Sequence, residues 1–317
     1  MQLKTIGVVG LGMLGRGICA ALAGRGLTVF AVDLQEDGVV AARDEVFRAV
    51  AEMRAHQVAG IVDESALARE FIGTTSLDEL SVCDFVIESV AEDINTKHEV
   101  MSDLEAIVSP ETPIATNTSA IPIECLQREC KRPERVLGMH WAEPAYATRF
   151  LELIRGDATS EQSFQAAIDL AALCEKEVCV VERDLPGFIA NRLGYAIIRE
   201  AANLVELGVA DAETVDRSFR NSVGLWAGFC GPLRWVDITG GPELYAKAMK
   251  PVLPTLSNRD EVPDLLRGAA QEAADSADSL HGIHRMDQQD LELWQARFRH
   301  HAWSIWQSQT SSREEER

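Results

Sequence analysis

Thr5-Ile6-Gly7-Val8-Val9-Gly10-Leu11-Gly12-Met13-Leu14-Gly15 decides the fold. An apolar run of strand length, Ile6–Val9, gives way to three glycines in the spacing G-x-G-x-x-G, and an apolar helical stretch, Leu14–Arg25, follows. The spacing has physical reasons. Gly10 permits the tight turn, Gly12 lets the backbone approach a pyrophosphate, and Gly15 lets helix and strand pack closely. The helix N-terminus offers unpaired N–H groups and a partial positive charge to phosphates. Asp33 closes the next strand, Phe30-Ala31-Val32-Asp33. A carboxylate there accepts both ribose hydroxyls of an adenosine and repels a 2′-phosphate. Leu34 and Gln35 follow it, with no Arg. The expected cofactor is therefore NAD rather than NADP.

Outward from this unit, short β-rich runs alternate with helical stretches. Thr5–Val9, Thr28–Val32, Phe85–Glu88, Pro113–Thr116, Val136–Met139, Phe150–Ile154 and Glu177–Val181 read as strands. Leu14–Arg25, Gln35–Ala55, Ile94–Ile107 and Ser160–Cys174 read as helices. Apolar strands separated by helices predict a doubly wound, mainly parallel α/β sheet buried on both faces. The character changes at Asp184-Leu185-Pro186-Gly187; beyond it come only helical stretches. We expect a Rossmann-type NAD-binding domain over 1–184 and an all-helical substrate and dimerisation domain over 185–317, whose polar end from Ser308 frays.

The chain of 317 residues carries 50 acidic against 30 basic side chains, a net charge of −20. That field repels a polyanion, and no basic stripe with interleaved aromatics appears, so nucleic acid is excluded as a partner. No stretch is long enough to span a bilayer and no signal peptide opens the chain. Seven cysteines form no C-x-x-C pair. Their odd number implies free thiols in a reducing cytoplasm. The pairs His281/His284 and His300/His301 have no carboxylate or cysteine companion at ligand spacing, so no metal site is expected.

Taking hydride from an alcohol carbon needs a base for the hydroxyl proton, a group to orient that base, and donors for the substrate oxygen. His140 lies just past the strand Val136–Met139, at the end of the strand where open α/β sheets place ligands. Glu152 is a lone carboxylate in Phe150-Leu151-Glu152-Leu153-Ile154, and a buried charge needs a partner. If the two strands are neighbours, the carboxylate fixes the imidazole tautomer; otherwise His140 is a structural histidine.

Several segments together resemble the L-3-hydroxyacyl-CoA dehydrogenase family. They are the Gly-rich start with Asp33, Ile87-Glu88-Ser89-Val90-Ala91-Glu92, Asn117-Thr118-Ser119, Gly138-Met139-His140, Leu151-Glu152-Leu153-Ile154 and Pro186-Gly187-Phe188-Ile189-Ala190-Asn191-Arg192. The resemblance implies that His140 is the base and Glu152 its partner. It also places Ser119 and Asn191 near the substrate oxygen and the nicotinamide, and makes Glu92 and Lys97 cofactor contacts. On their own terms Asn191 could serve its helix backbone and Lys97 could be a solvated helix charge. The family's helical domain mediates dimerisation, which implies a homodimer.

The chain also departs from the family. Where the family has an Asn close to the nicotinamide, His140-Trp141-Ala142-Glu143-Pro144 places Glu143. A carboxylate only accepts hydrogen bonds and carries charge. Glu143 therefore either selects a substrate with an ammonium group or an extra hydroxyl, or pairs with Arg149. Residues 36–92 contain no Lys to clamp coenzyme A. Asn258-Arg259-Asp260 and the stretch from Asn191 to Ala201 resemble the family's free-acid branch, which includes L-gulonate 3-dehydrogenase and its lens crystallin relative, carnitine dehydrogenase, and a pyridine-aldehyde dehydrogenase of vitamin B6 breakdown. Trp226, Phe229 and Trp235 either wall a substrate or pack in core and dimer interface.

The expected activity is NAD-dependent hydride removal from the hydroxyl carbon of an L-3-hydroxy acid or its acyl thioester. The alternatives are oxidation of an aromatic pyridine-type aldehyde to the carboxylate, and a non-catalytic, crystallin-like NAD binder.

Overall fold

The computed structural model describes residues 3–275 and 282–315. Its first compact unit takes residues 1–191 and those from His301 on; its second takes Arg192–His300. The division falls seven residues beyond the boundary expected at 184, and it returns the chain's end to the first unit. His281 lies outside the described residues.

The first unit begins β1 (Thr5–Val9), α1 (Met13–Ala23), β2 (Thr28–Val32), α2 (Glu36–Ala55), α3 (Glu64–Glu70), β3 (Phe71–Thr74) and β4 (Phe85–Glu88). It continues with α4 (Ile94–Ile107), β5 (Ile114–Thr116), α5 (Ile123–Gln127), β6 (Val136–Trp141), β7 (Phe150–Ile154), α6 (Glu161–Leu173) and β8 (Glu177–Val181). The eight strands form one sheet in the order β3-β2-β1-β4-β5-β6-β7-β8. All neighbours are parallel except β6 and β7, which run antiparallel with His140 opposite Glu152. The central strands are apolar on both sides because a separate core cluster covers each sheet face. Strand order reverses between β1 and β4, the switch point where such sheets open a crevice for ligands.

Three details differ from the sequence reading. The short edge strand β3 and its preceding helix α3 were not expected; α3 is started by Asp63, whose Oδ1 accepts the Ala66 N–H at 2.8 Å. Strand β6 runs two residues further than Val136–Met139, so His140 stands inside the strand and not past it. Its antiparallel partner β7 holds the extra residues in register.

The second unit contains α7 (Ala190–Glu206) from Arg192 on, then α8 (Ala212–Asn221), α9 (Val223–Ala227), α10 (Gly231–Ile238), α11 (Gly241–Met249), α12 (Asp264–Asp275) and the first part of α13 (Gln288–Glu315). The polar end expected to fray is helical as far as Glu315. Among the described residues no helix is long and apolar enough to cross a membrane.

Candidate active site

The turn from β1 into α1 behaves as its glycines require. Gly10 has φ +92°, and a Cβ there would meet the Ser89 carbonyl at 2.5 Å. A Cβ on Gly15 would lie 1.9 Å from the Gly10 oxygen. Gly12 is different: a Cβ there would meet no atom within 4 Å. It is the N-cap of α1 and makes no side-chain cap bond, so the first turn's N–H groups face open space. Asp33 Oδ2 accepts the Leu11 N–H at 3.0 Å, which fixes the carboxylate beside the turn.

Gly10, Leu11, Gly12 and Asp33 line a cavity of about 1040 Å³ that also touches Leu34, Ser89, Glu92, Asn117 and Ser119. A glycine with free space above it, an open helix N-terminus and a carboxylate at the end of β2 fit the pyrophosphate and adenosine ribose of NAD. Gly10, Gly12 and Asp33 are the residues that would hold them; Gly15, expected with them, lies behind the turn and lets α1 pack against it.

Beside the cavity a buried ion pair orders the next wall. Lys97 Nζ donates to Glu88 Oε1 at 2.8 Å and to Oε2 at 3.1 Å, and lies 3.4 Å from Glu92 Oε2. Glu88 accepts further bonds from the Val90 N–H and the Thr116 hydroxyl. Lys97 is thus enclosed and not a solvated helix charge. Glu92 Oε1 accepts the Thr118 hydroxyl at 2.5 Å and the N–H groups of Ser119 and Ala120 at 2.9 and 3.0 Å. Burial pushes its carboxyl up, but the Thr118 hydroxyl, Lys97 and those two amides outweigh it and hold it below the usual range. Sequence reasoning missed Glu88, although it gives the same signal as Glu152, a carboxylate in an apolar strand.

The catalytic candidates come together on the two antiparallel strands. His140 Nδ1 lies 2.8 Å from Glu152 Oε2. A carboxylate can only accept, so Nδ1 carries the hydrogen and Nε2 keeps its lone pair. Glu152 Oε1 accepts the N–H groups of Ile189 and Ala190 at 3.1 and 2.9 Å, which ties the carboxylate to the start of α7. Phe150 meets the imidazole edge-on and Phe188 at a tilt of 57°, with centroids at 5.8 and 5.6 Å.

Asn191 Nδ2 donates to the Ser119 carbonyl at 2.8 Å, so these two expected residues are neighbours. Asn117, to which no role was given, joins both halves of the site. Its Oδ1 accepts the Trp141 N–H, one residue past the histidine, at 2.9 Å, while its Nδ2 donates to Ser89 Oγ at 3.1 Å. Glu143, half-buried, begins a cis peptide to Pro144, and its Oε2 lies 3.7 Å from where a Gly17 Cβ would stand. Arg149 reaches Glu177 Oε2 at 3.6 Å and lies over Trp306. In the second unit, Trp226 and Trp235 stack at 5.6 Å while Phe229 is 79% exposed. His284 pairs with Asp216 at 2.9 Å.

Comparison with known proteins finds relatives over most of the chain. The NAD-binding domain of 3-hydroxyacyl-CoA dehydrogenase matches residues 5–185, and the C-terminal domain of the same family matches 187–267. The chain is 34% identical to 5-formyl-3-hydroxy-2-methylpyridine 4-carboxylate 5-dehydrogenase of Mesorhizobium japonicum, over 84% of this chain and 85% of that one. It is 30% identical to L-carnitine dehydrogenase of Streptomyces griseus, over 86% and 84%. A crystal structure of the pyridine-carboxylate enzyme, described as an NAD+-dependent dismutase, superposes with a TM-score of 0.88 at 30% identity, covering 96% of this chain and 97% of that one. The chain belongs to the 3-hydroxyacyl-CoA dehydrogenase family, whose members are NAD-dependent dehydrogenases acting on CH–OH groups.

Proposed function

We propose that His140 is the general base that takes the hydroxyl proton of an L-3-hydroxy acid or its acyl thioester. NAD, when bound, supplies the acceptor for the hydride leaving the same carbon. The observation that carries this reading is the 2.8 Å bond from His140 Nδ1 to Glu152, which leaves Nε2 as the proton acceptor. As the O–H proton moves to Nε2, the carbonyl forms and Glu152 stabilises the imidazolium. Ser119 and Asn191 hold the substrate oxygen, and Glu92, ordered by Lys97, fixes the loop that carries Ser119. Glu143 borders the nicotinamide.

A second reading is favoured by the near full-length match to the pyridine-carboxylate enzyme. The hydrate of an aromatic aldehyde presents an O–H and a C–H to the same base and cofactor, so the product is a carboxylate and not a ketone. We further place the enzyme in the cytoplasm as a homodimer; the second unit's exposed Leu225, Phe229 and Leu233 support a covered face.

An NAD-reduction screen over 3-hydroxyacyl-CoA esters, free 3-hydroxy acids, carnitine, sugar acids and aromatic aldehydes identifies the substrate. On that substrate His140→Ala lowers turnover by at least about 100-fold while NADH binding is retained. An unchanged rate rejects the assignment.

A further inference from the structure

The connection between β6 and β7, residues 142–149, separates the two members of the dyad, and most of it is buried. Ala145, Tyr146, Ala147 and Arg149 are each at most 9% exposed. A buried loop must have its polar groups satisfied from elsewhere. Here two distant parts of the chain do so. Lys176, just before β8, donates to the carbonyls of Ala145 and Thr148. Glu52, on α2, accepts the Tyr146 hydroxyl at 3.0 Å with one carboxylate oxygen and the Trp303 indole N–H at 2.7 Å with the other.

Trp303 and Trp306 come from the end of α13, more than thirty residues past the last position matched by the family's C-terminal domain. Both are buried in the first unit's core. Trp303 stacks on His56 of the segment after α2, at 4.6 Å and 11° between planes, and its ring lies 6.2 Å from that of Tyr146. The Trp306 ring lies under the Arg149 guanidinium at 5.6 Å. Two indoles three residues apart on one helix face thus touch both the middle and the end of the connection.

We propose that the end of α13, acting through Glu52 and Tyr146, is a positioning element that sets the β6–β7 connection, and with it Glu143 and the His140–Glu152 dyad, for catalysis. Trp303 and Trp306 touch no reacting atom; they act on the residues that flank it. The proposal rests on the dehydrogenase reading given above. Its consequence is selective. The adenosine half of the cofactor site is built on the β1–α1 turn and Asp33, while the connection meets α1 further along, where a Gly17 Cβ would stand 3.1 Å from Ala145 Cβ. The half that borders Glu143 and His140 is built on the connection itself.

The experiment uses full-length enzyme, Trp303→Phe, Glu52→Gln, their double variant, and the chain ended after His300. Trp303→Phe keeps an aromatic ring on the His56 face but removes the N–H together with part of the indole's volume. In Glu52→Gln one of the two donors faces an amide NH2 group. Binding of ADP and of NADH is measured for each, together with kcat and KM on the substrate identified by the screen. Trp303→Phe and Glu52→Gln are each expected to lower kcat/KM about tenfold, as for a small misplacement of reacting groups. NADH affinity falls while ADP affinity stays within about twofold, and the double variant is no worse than Glu52→Gln, since both changes break one connection. The shortened chain loses more. If it fails to fold, Trp303→Phe decides. A lowered Tm in Trp303→Phe with unchanged kcat/KM and unchanged NADH binding overturns the proposal, as does a fully additive double variant. Should the wild type reduce NAD with none of the panel, the dehydrogenase reading fails, but the NADH and ADP arms still test the positioning.

Discussion

Glu152→Gln isolates the role of the carboxylate with little change of shape. Its two oxygens are engaged on opposite sides: Oε2 by His140 Nδ1 at 2.8 Å, Oε1 by the Ile189 and Ala190 N–H groups. A glutamine can satisfy the two backbone donors only with its carbonyl oxygen, so its NH2 group turns to His140. The imidazole must then accept at Nδ1 and carry its hydrogen on Nε2, the tautomer that cannot take the substrate proton. The imidazolium also loses an anion 2.8 Å away. At an effective dielectric of about 20 that attraction is roughly 6 kcal/mol before screening and desolvation are counted. A net loss of about 4 to 5 kcal/mol from the transition state corresponds to a fall in kcat of about 10³- to 10⁴-fold. The assay is steady-state NADH formation on the identified substrate, beside NADH binding followed by its fluorescence. Binding should stay within about threefold, because the dinucleotide cavity does not depend on Glu152. A Glu152→Gln enzyme that turns over within tenfold of wild type refutes the tautomer reasoning, and one that no longer binds NADH refutes the independence of the two parts.

Other perturbations probe the frame around the dyad. Gly12→Ala adds a methyl group that meets no protein atom within 4 Å, so Tm should hold while NADH affinity falls at least about tenfold; retained affinity would mean the pyrophosphate does not pass there. Glu88→Gln leaves Lys97 buried without its main partner and should cost about 3 to 5 kcal/mol in urea unfolding, while Glu88→Gln with Lys97→Met recovers much of it. Burial pushes the Lys176 ammonium down from the usual 10.5 to about 7, so between those values the unfolded chain holds a proton that the native one lacks. The cost of burying the charge is fully present below pH 7, and stability should climb by up to about 1.4 kcal/mol per pH unit above it. Denaturation midpoints of wild type and Lys176→Met at pH 7 and pH 9 check this: the difference between the proteins must change with pH.

What was legible in the chain follows from how local its causes are. The β1–α1 turn could be read because its turn conformation at Gly10 and the approach of Gly15 to the Gly10 oxygen are local, and the open space over Gly12 answers to a ligand. His140 and Glu152, two polar residues in or beside apolar strands, left a pairing open against a structural histidine, and the family resemblance favoured the pair. The register was harder: stopping the strand at Met139 left His140 beyond it, and only the pairing with β7 carries β6 on to Trp141. Lys97 could be read only as a cofactor contact or a solvated charge, because its partner, Glu88, stands on a strand whose depth in the sheet is set by neighbours far along the chain. Strand β3 is only four residues long and half polar, and such an edge gives little periodicity to read. The end of α13 misled for the opposite reason. The polar stretch from Ser308 reads as a frayed terminus, and nothing in the sequence around the tryptophans before it, Trp303 and Trp306, points to Glu52, which Trp303 binds and which is 251 residues earlier.

The start of α7 shows why the dyad and the fold cannot be tuned separately. Gly187 and Phe188 both have positive φ, +78° and +49°. For phenylalanine the left-handed region costs roughly 1–2 kcal/mol, and such strain persists only where the surroundings enforce it. Two things enforce it here. The ring is buried against His140, and the turned backbone aims the next two N–H groups at Glu152. Bonds from backbone amides to a carboxylate are charge-assisted and stronger than neutral ones. They hold the carboxylate on the side away from the imidazole, so its other oxygen is committed to Nδ1. A substitution that relaxes position 188, such as glycine, relieves the strain but removes the ring that walls the imidazole and loosens the anchor of its partner. The expected result is an enzyme whose fold survives and whose base is no longer held in one orientation. In this site the strain is a consequence of fixing an imidazole from three directions at once: strand register, a carboxylate, and the first turn of a helix.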